Sequence, residues 1–174
     1  PRRFGKTIAG NMLTAYYSKG CDSRELFSPY KISSAPDFES NLNKFNVIKI
    51  DLNSEFQNIT DKDLLLKNLT KNIKAEMQTT FPTVELTEEN SLGESILKIW
   101  AQTKETFVII IDEYDVLVRE KISDKLFSEY LSLLNGLFKS DTLRPAIKLA
   151  YLTGIIPIVR DKIQSKLNNF EEYT

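Results

Sequence analysis

Two hydrophobic periods alternate along the chain. Phe107-Val108-Ile109-Ile110-Ile111 is an unbroken apolar run that stops at Asp112-Glu113. Such a run predicts a strand covered on both faces, as in a parallel sheet flanked by helices. Val47 to Leu52 alternates in part and predicts another strand, and Ile147 to Leu152, after Pro145, predicts a third that ends on Thr153 and Gly154. Elsewhere the apolar spacing is helical. Ile8, Met12 and Tyr16 form a stripe, with Gly20 placed to end the helix. Leu65, Leu69, Ile73 and Met77 form the next, after an N-cap at Thr60 and acids in the first turn, and run to Phe81-Pro82. Ser91 and Glu94 make a capping box ahead of Ile96, Leu97 and Trp100. Leu126, Tyr130, Leu134 and Phe138 face inward on a helix from about Ser123, and a short helix is expected from Asp161 to Leu167. Residues 21–45 show no clear period. Leu26, Phe27, Tyr30 and Ile32, between Pro29 and Pro36, suggest a short helix and a packed loop.

Strands alternating with helices predict an α/β fold with a doubly wound parallel sheet in three layers. Right-handed crossovers place every strand C-terminus at one edge, where open α/β sheets bind ligands. At 174 residues the chain suits one domain, and no repeat, linker or low-complexity tract divides it.

Composition narrows the chemistry. The chain has no histidine and one cysteine, Cys21. That removes Ser-His-Asp and Cys-His catalysis, His-ligated zinc, thiolate zinc and any internal disulfide. A lone cysteine fits the cytoplasm, and Cys21 reads as a small packing residue or an idle thiol. A net charge of −1 gives no support for nucleic acid as a partner. No apolar run approaches the roughly 18–20 residues of a membrane span. Catalysis must then rest on carboxylates, Lys, Arg, hydroxyls, backbone amides and a hard cation.

Gly5-Lys6-Thr7 at the start of a helix is the second half of a phosphate-binding loop. Glycine lets backbone N–H groups approach phosphate, and the helix N-terminus adds its dipole. Lys6 would reach the β- and γ-phosphates of ATP and the Thr7 hydroxyl would ligate Mg²⁺, with Phe4 and Ile8 flanking the loop. The motif's first glycine and its feeding strand would precede Pro1. Residues 1–174 are therefore expected to be a partial domain, truncated at both ends and, expressed alone, poorly soluble and inactive. An acidic pair at the end of a buried strand, Asp112-Glu113, and a hydroxyl at the end of another, Thr153, would meet this loop at the shared edge.

PRRFGKT at the start, FVIIIDEYD in the middle, and LTGI followed by SKLNNFEEYT near the end resemble the predicted AAA-ATPase-like family. These are bacterial P-loop ATPases of the additional-strand type, often fused to a PD-(D/E)XK nuclease-like domain. The resemblance covers nearly the whole chain. It implies a Walker A loop at Gly5-Lys6-Thr7 and a Walker B pair in which Asp112 holds the Mg²⁺ shell. It implies further that Glu113 is the base for the attacking water and that Thr153 occupies the sensor position, on a strand between the phosphate-loop strand and the Asp112 strand. Partners implied are ATP, further copies of the chain, or a nuclease-like domain.

The expected activity is Mg-dependent ATP hydrolysis. The alternative is a nucleotide-gated interaction switch with slow or no turnover. A glutamate next to Asp112 argues against a small-molecule kinase, which would use a substrate hydroxyl. Arg160 reads either as an arginine finger or nucleotide sensor or as an exposed helix-start residue. Arg2 and Arg3 read as lining the loop or facing a partner. Asp115 reads as a local cap or loop residue, and no chemistry attaches to Asn168 and Asn169.

Overall fold

The computed structural model describes residues 5–155 and 170–171. Its centre is a three-stranded parallel sheet in the order β1-β2-β3: Asn46–Asp51, Phe107–Asp112 and Ile147–Leu152. All six residues of β2 are buried, as the unbroken apolar run requires. β1 pairs with β2 in unbroken register, from Asn46 opposite Phe107 to Asp51 opposite Asp112. β1 stops one residue earlier than its sequence suggests. The Asp51 carboxylate accepts from the Ser54 amide at 2.9 Å and caps a helix that begins at Leu52.

β3 is not in simple register. Ile147 lies opposite Phe107, but Val108 pairs with Leu149, so Lys148 is extra on its strand. Lys148 is exposed, with its ammonium 5.7 Å from the centre of the Phe45 ring. The shift carries Leu152 opposite Ile111, which brings Thr153 level with Asp112 instead of Glu113. Thr153 N donates to Ile111 O at 2.9 Å, so the ladder continues through this point.

The helices in chain order are α1 (Lys6–Tyr17), α2 (Arg24–Phe27), α3 (Phe38–Asn41), α4 (Leu52–Asn58), α5 (Leu65–Thr80), α6 (Leu92–Thr103), α7 (Val116–Arg119) and α8 (Asp124–Phe138). Alternate residues of the sheet meet different neighbours. Ile48 and Ile50 of β1 and Phe107, Ile109 and Ile111 of β2 join the main core with Leu65, Leu69 and Met77 of α5, Ile96 and Ile99 of α6, and Leu126, Tyr130 and Leu134 of α8. Ile110, pointing the other way, lies against α1 at Gly10. Tyr16, Phe27, Phe38 and Leu42 form a separate small cluster that ties residues 24–42 to the end of α1.

Most helical expectations hold. The Ser91–Glu94 capping box is present in both directions, and Ser123 caps α8 through the Leu126 amide. Four details differ. Asp61, not Thr60, provides the cap before α5, over a short 3₁₀ turn at Lys62–Leu64. α1 ends at Tyr17, three residues before Gly20. On α8 the side chain fully enclosed near the end is Leu137, with Phe138 half-buried. On α1 only Tyr16 of the Ile8–Met12–Tyr16 stripe faces inward: Ile8 is 65% and Met12 38% exposed. The contact face centres on Gly10, because a residue without a side chain allows the closest approach of helix to sheet. In residues 21–45 only Phe27 of the four expected packing residues is buried, and Cys21 is exposed, so it is not a packing residue. The helix expected at 161–167 lies outside the described residues.

Candidate functional site

The site grows from the C-terminal ends of β2 and β3. Asp112 and Thr153, brought level by the shift at Lys148, are 3% and 4% exposed, and the Thr153 hydroxyl donates to Asp112 Oδ1. A buried carboxylate needs such partners, since desolvation penalises its charge. The Glu113 amide donates to the same Oδ1 at 3.1 Å and to Thr153 Oγ1 at 3.3 Å. These bonds converge on Oδ1. Asp112 Oδ2 accepts no hydrogen bond from the described residues.

Glu113 has φ of 52°, in the left-handed region that non-glycine residues enter at a cost. The surroundings hold it there. Tyr114 N donates to Thr153 O at 2.8 Å, and the Tyr130 hydroxyl on α8 donates to Tyr114 O at 2.6 Å. Burial pushes the Tyr130 phenol well above its usual range, with the neighbouring Tyr114 and Asp115 adding to it. That hydroxyl is therefore a fixed donor. Its turn carries the Glu113 side chain away from the core, about one-third exposed.

Asp115 and Arg119 complete the turn, and neither was singled out as chemistry by sequence reasoning. Asp115 is 1% exposed and accepts from Ile155 N at 2.9 Å. Arg119, at the end of α7, donates from its NH2 group to Glu113 Oε2 at 2.8 Å. Its Nε lies 3.1 Å from Asp115 Oδ2, an electrostatic contact that is not aligned as a hydrogen bond. The available signal was spacing: Asp115 and Arg119 stand four apart on a helical turn, where opposite charges meet.

The helix start lies on the same side. α1 runs against the strand direction, because Lys19 N donates to Phe45 O at the foot of β1 while Gly10 sits opposite Ile110 near the top of β2. Lys49 of β1 also bonds Asn11 of α1. From Gly10 back to Lys6 is four helical residues, about 6 Å. From Ile110 forward to Asp112 is two strand residues, also about 6–7 Å. Lys6 and Asp112 thus stand at similar height, on the face of the sheet that α1 covers. Gly5 occupies the N-cap with φ of 74°, a conformation glycine adopts without strain. Lys6 is half-buried, and Thr7 and Ile8 are exposed. Phe4, Arg2, Arg3, Arg160, Asn168 and Asn169 lie outside the described residues.

Among the described residues no three His, Cys, Asp or Glu side chains converge on one point, so no all-protein cation cage is present there. Magnesium does not require one, since it is commonly held by one or two carboxylates together with phosphates and water. A single buried carboxylate whose Oδ2 has no partner among the described residues, at the height of a threonine that opens a helix, suits that mode. Carboxylates at 112, 113 and 115 gather at this end of the sheet, so a polyphosphate there needs cations beyond the Arg119 guanidinium.

No curated protein and no solved structure matches the chain. No helix among the described residues is long and apolar enough to cross a membrane. The family model described as Predicted AAA-ATPase matches residues 1–164, which include the PRRFGKT, FVIIIDEYD and LTGI regions but not SKLNNFEEYT, and the chain belongs to that family.

Proposed function

We propose that this chain is the catalytic part of a cytoplasmic, Mg²⁺-dependent ATPase, built as a doubly wound three-layer domain. The observation that supports the reading is that α1 starts, at Gly5-Lys6-Thr7, at the same end of the sheet as the bonded pair Asp112–Thr153 and the adjacent Glu113. Family membership agrees with nucleotide binding and hydrolysis in general.

In this mechanism the backbone amides at the start of α1 and the Lys6 ammonium bind the phosphates of ATP. Thr7 and Asp112 would hold Mg²⁺, which supplies positive charge to the phosphate oxygens. Thr153 keeps the Asp112 carboxylate oriented by occupying Oδ1. Glu113 accepts a proton from water as the water oxygen bonds to the γ-phosphorus and the bond to ADP breaks. The carboxylates gathered at this end repel a polyphosphate, so removal of the Lys6 ammonium should cost binding even with the α1 amides and Mg²⁺ in place.

The test is nucleotide-induced stabilisation and phosphate release in the full-length protein that carries these residues. MgATP at 100 times its dissociation constant should stabilise the protein by about 2.7 kcal/mol. Lys6→Ala should remove most of this, because a charge-assisted contact contributes about 1.5–3 kcal/mol. Asp112→Asn should weaken the Mg²⁺ dependence of binding. Glu113→Gln should retain binding and slow hydrolysis about 10²–10⁴-fold. An unchanged thermal shift in Lys6→Ala would overturn the assignment.

A further inference from the structure

Arg119 has no place in the mechanism above, yet it contacts the base. Its guanidinium bridges two carboxylates, with NH2 on Glu113 Oε2 at 2.8 Å and Nε 3.1 Å from Asp115 Oδ2. The bridge is sheltered: the Arg119 side chain is 19% exposed and that of Asp115 1%. Asp115 is itself held by the Ile155 amide, two residues after Thr153. Gly154, between them, packs so tightly on Tyr114 and Asp115 that a Cβ there would lie 2.5 Å from the Tyr114 ring.

We infer that Arg119, anchored by Asp115, is a positioning residue that holds the Glu113 carboxylate by one oxygen and ties its orientation to the turn at residues 153–155. The inference rests on the ATPase reading of the same site. Glu113 leaves the backbone in a left-handed turn with three side-chain torsions and about one-third of its side chain exposed. Unrestrained, its carboxylate would sample several rotamers. Arg119 occupies Oε2 and leaves Oε1, which accepts no hydrogen bond from the described residues. That oxygen can then take the proton from water while the other stays fixed. A planar fork is needed to serve both carboxylates at once, and lysine, a single point charge, cannot do so.

The experiment compares steady-state ATP hydrolysis by the full chain with Arg119→Ala, Arg119→Lys and the double variant Glu113→Gln/Arg119→Ala. Arg119→Ala should lower kcat about 10- to 100-fold, the scale of a misplaced catalytic group. KM should stay within about twofold, and Arg119→Lys should recover part of the loss. In the Glu113→Gln background the Arg119 change should have no further effect, which a merely structural role would not produce. If Arg119→Ala does not fold, Arg119→Lys decides: an expected loss in kcat at constant KM supports the inference, and wild-type kcat overturns it. Should the wild-type protein hydrolyse ATP in a Lys6- and Glu113-dependent way while Arg119→Ala keeps or raises kcat, the inference alone falls. Absence of hydrolysis in the wild-type protein, or indifference to Lys6, removes the ATPase reading and the inference with it.

Discussion

Replacing Thr153 by valine keeps the shape of the side chain and deletes its hydroxyl. Two contacts disappear at a buried position. The larger is the donation to Asp112 Oδ1, a hydrogen bond to a charged group that is 3% exposed. Such bonds contribute about 1.5–3 kcal/mol. The smaller is acceptance from the Glu113 amide at 3.3 Å, and that amide retains Asp112 Oδ1 at 3.1 Å. The second loss should therefore add little, and the expected destabilisation stays near 1.5–3 kcal/mol. For a protein of this length, each kcal/mol moves the melting temperature by about 2–4 °C, so a fall of about 3–12 °C is expected. The assay is thermal and urea unfolding of the full chain with chelator and without nucleotide, so that no cation compensates Asp112. Thr153→Ser serves as the companion, since it keeps the hydroxyl and loses a methyl worth about 0.8 kcal/mol. Valine should be the more harmful of the two. If Thr153→Ser proves worse, or Thr153→Val melts within 1 °C of wild type (roughly 0.3–0.5 kcal/mol), the hydroxyl–carboxylate bond does not support the site.

Gly154→Ala places a methyl 2.5 Å from the Tyr114 ring and 2.9 Å from Asp115 Oδ1, and overpacking of this kind costs about 1–3 kcal/mol. It should lower the melting temperature and slow hydrolysis, and a variant with wild-type melting would show that the turn has room. Acid should weaken the α6 cap: the Ser91 amide and hydroxyl hold the Glu94 carboxyl below its ordinary value of 4.5. A lowered folded value means that the contribution is present above the ordinary value and fades as pH falls through the folded one. Wild type should therefore melt above Glu94→Gln at pH 7, with the gap closing toward pH 3, and a gap independent of pH would contradict this.

Where local chemistry suffices to specify an element, it could be read directly from the residues. Five apolar residues ending at Asp112 leave no polar face to expose, so β2 had to be buried on both sides. Ser91 and Glu94 satisfy each other's backbone amides within four residues, and the start of α6 needs nothing distant. Gly5-Lys6-Thr7 likewise announces its helix, because only the local backbone is involved.

Tertiary structure decided everything that depends on register or on distant partners. Side chains change face with each residue of slip, so one extra residue at Lys148 determines whether Thr153 meets Asp112 or Glu113, and no periodicity of β3 encodes it. The inward face of α1 follows from how closely Gly10 approaches Ile110, which reversed the reading of Ile8 and Met12. Sequence reading assigned nothing to Arg119. Only the left-handed turn at Glu113 and the buried anchor at Asp115 bring its guanidinium onto the Glu113 carboxylate, and both depend on contacts made across some forty residues of chain, from Asp112 and Asp115 to Thr153 and Ile155.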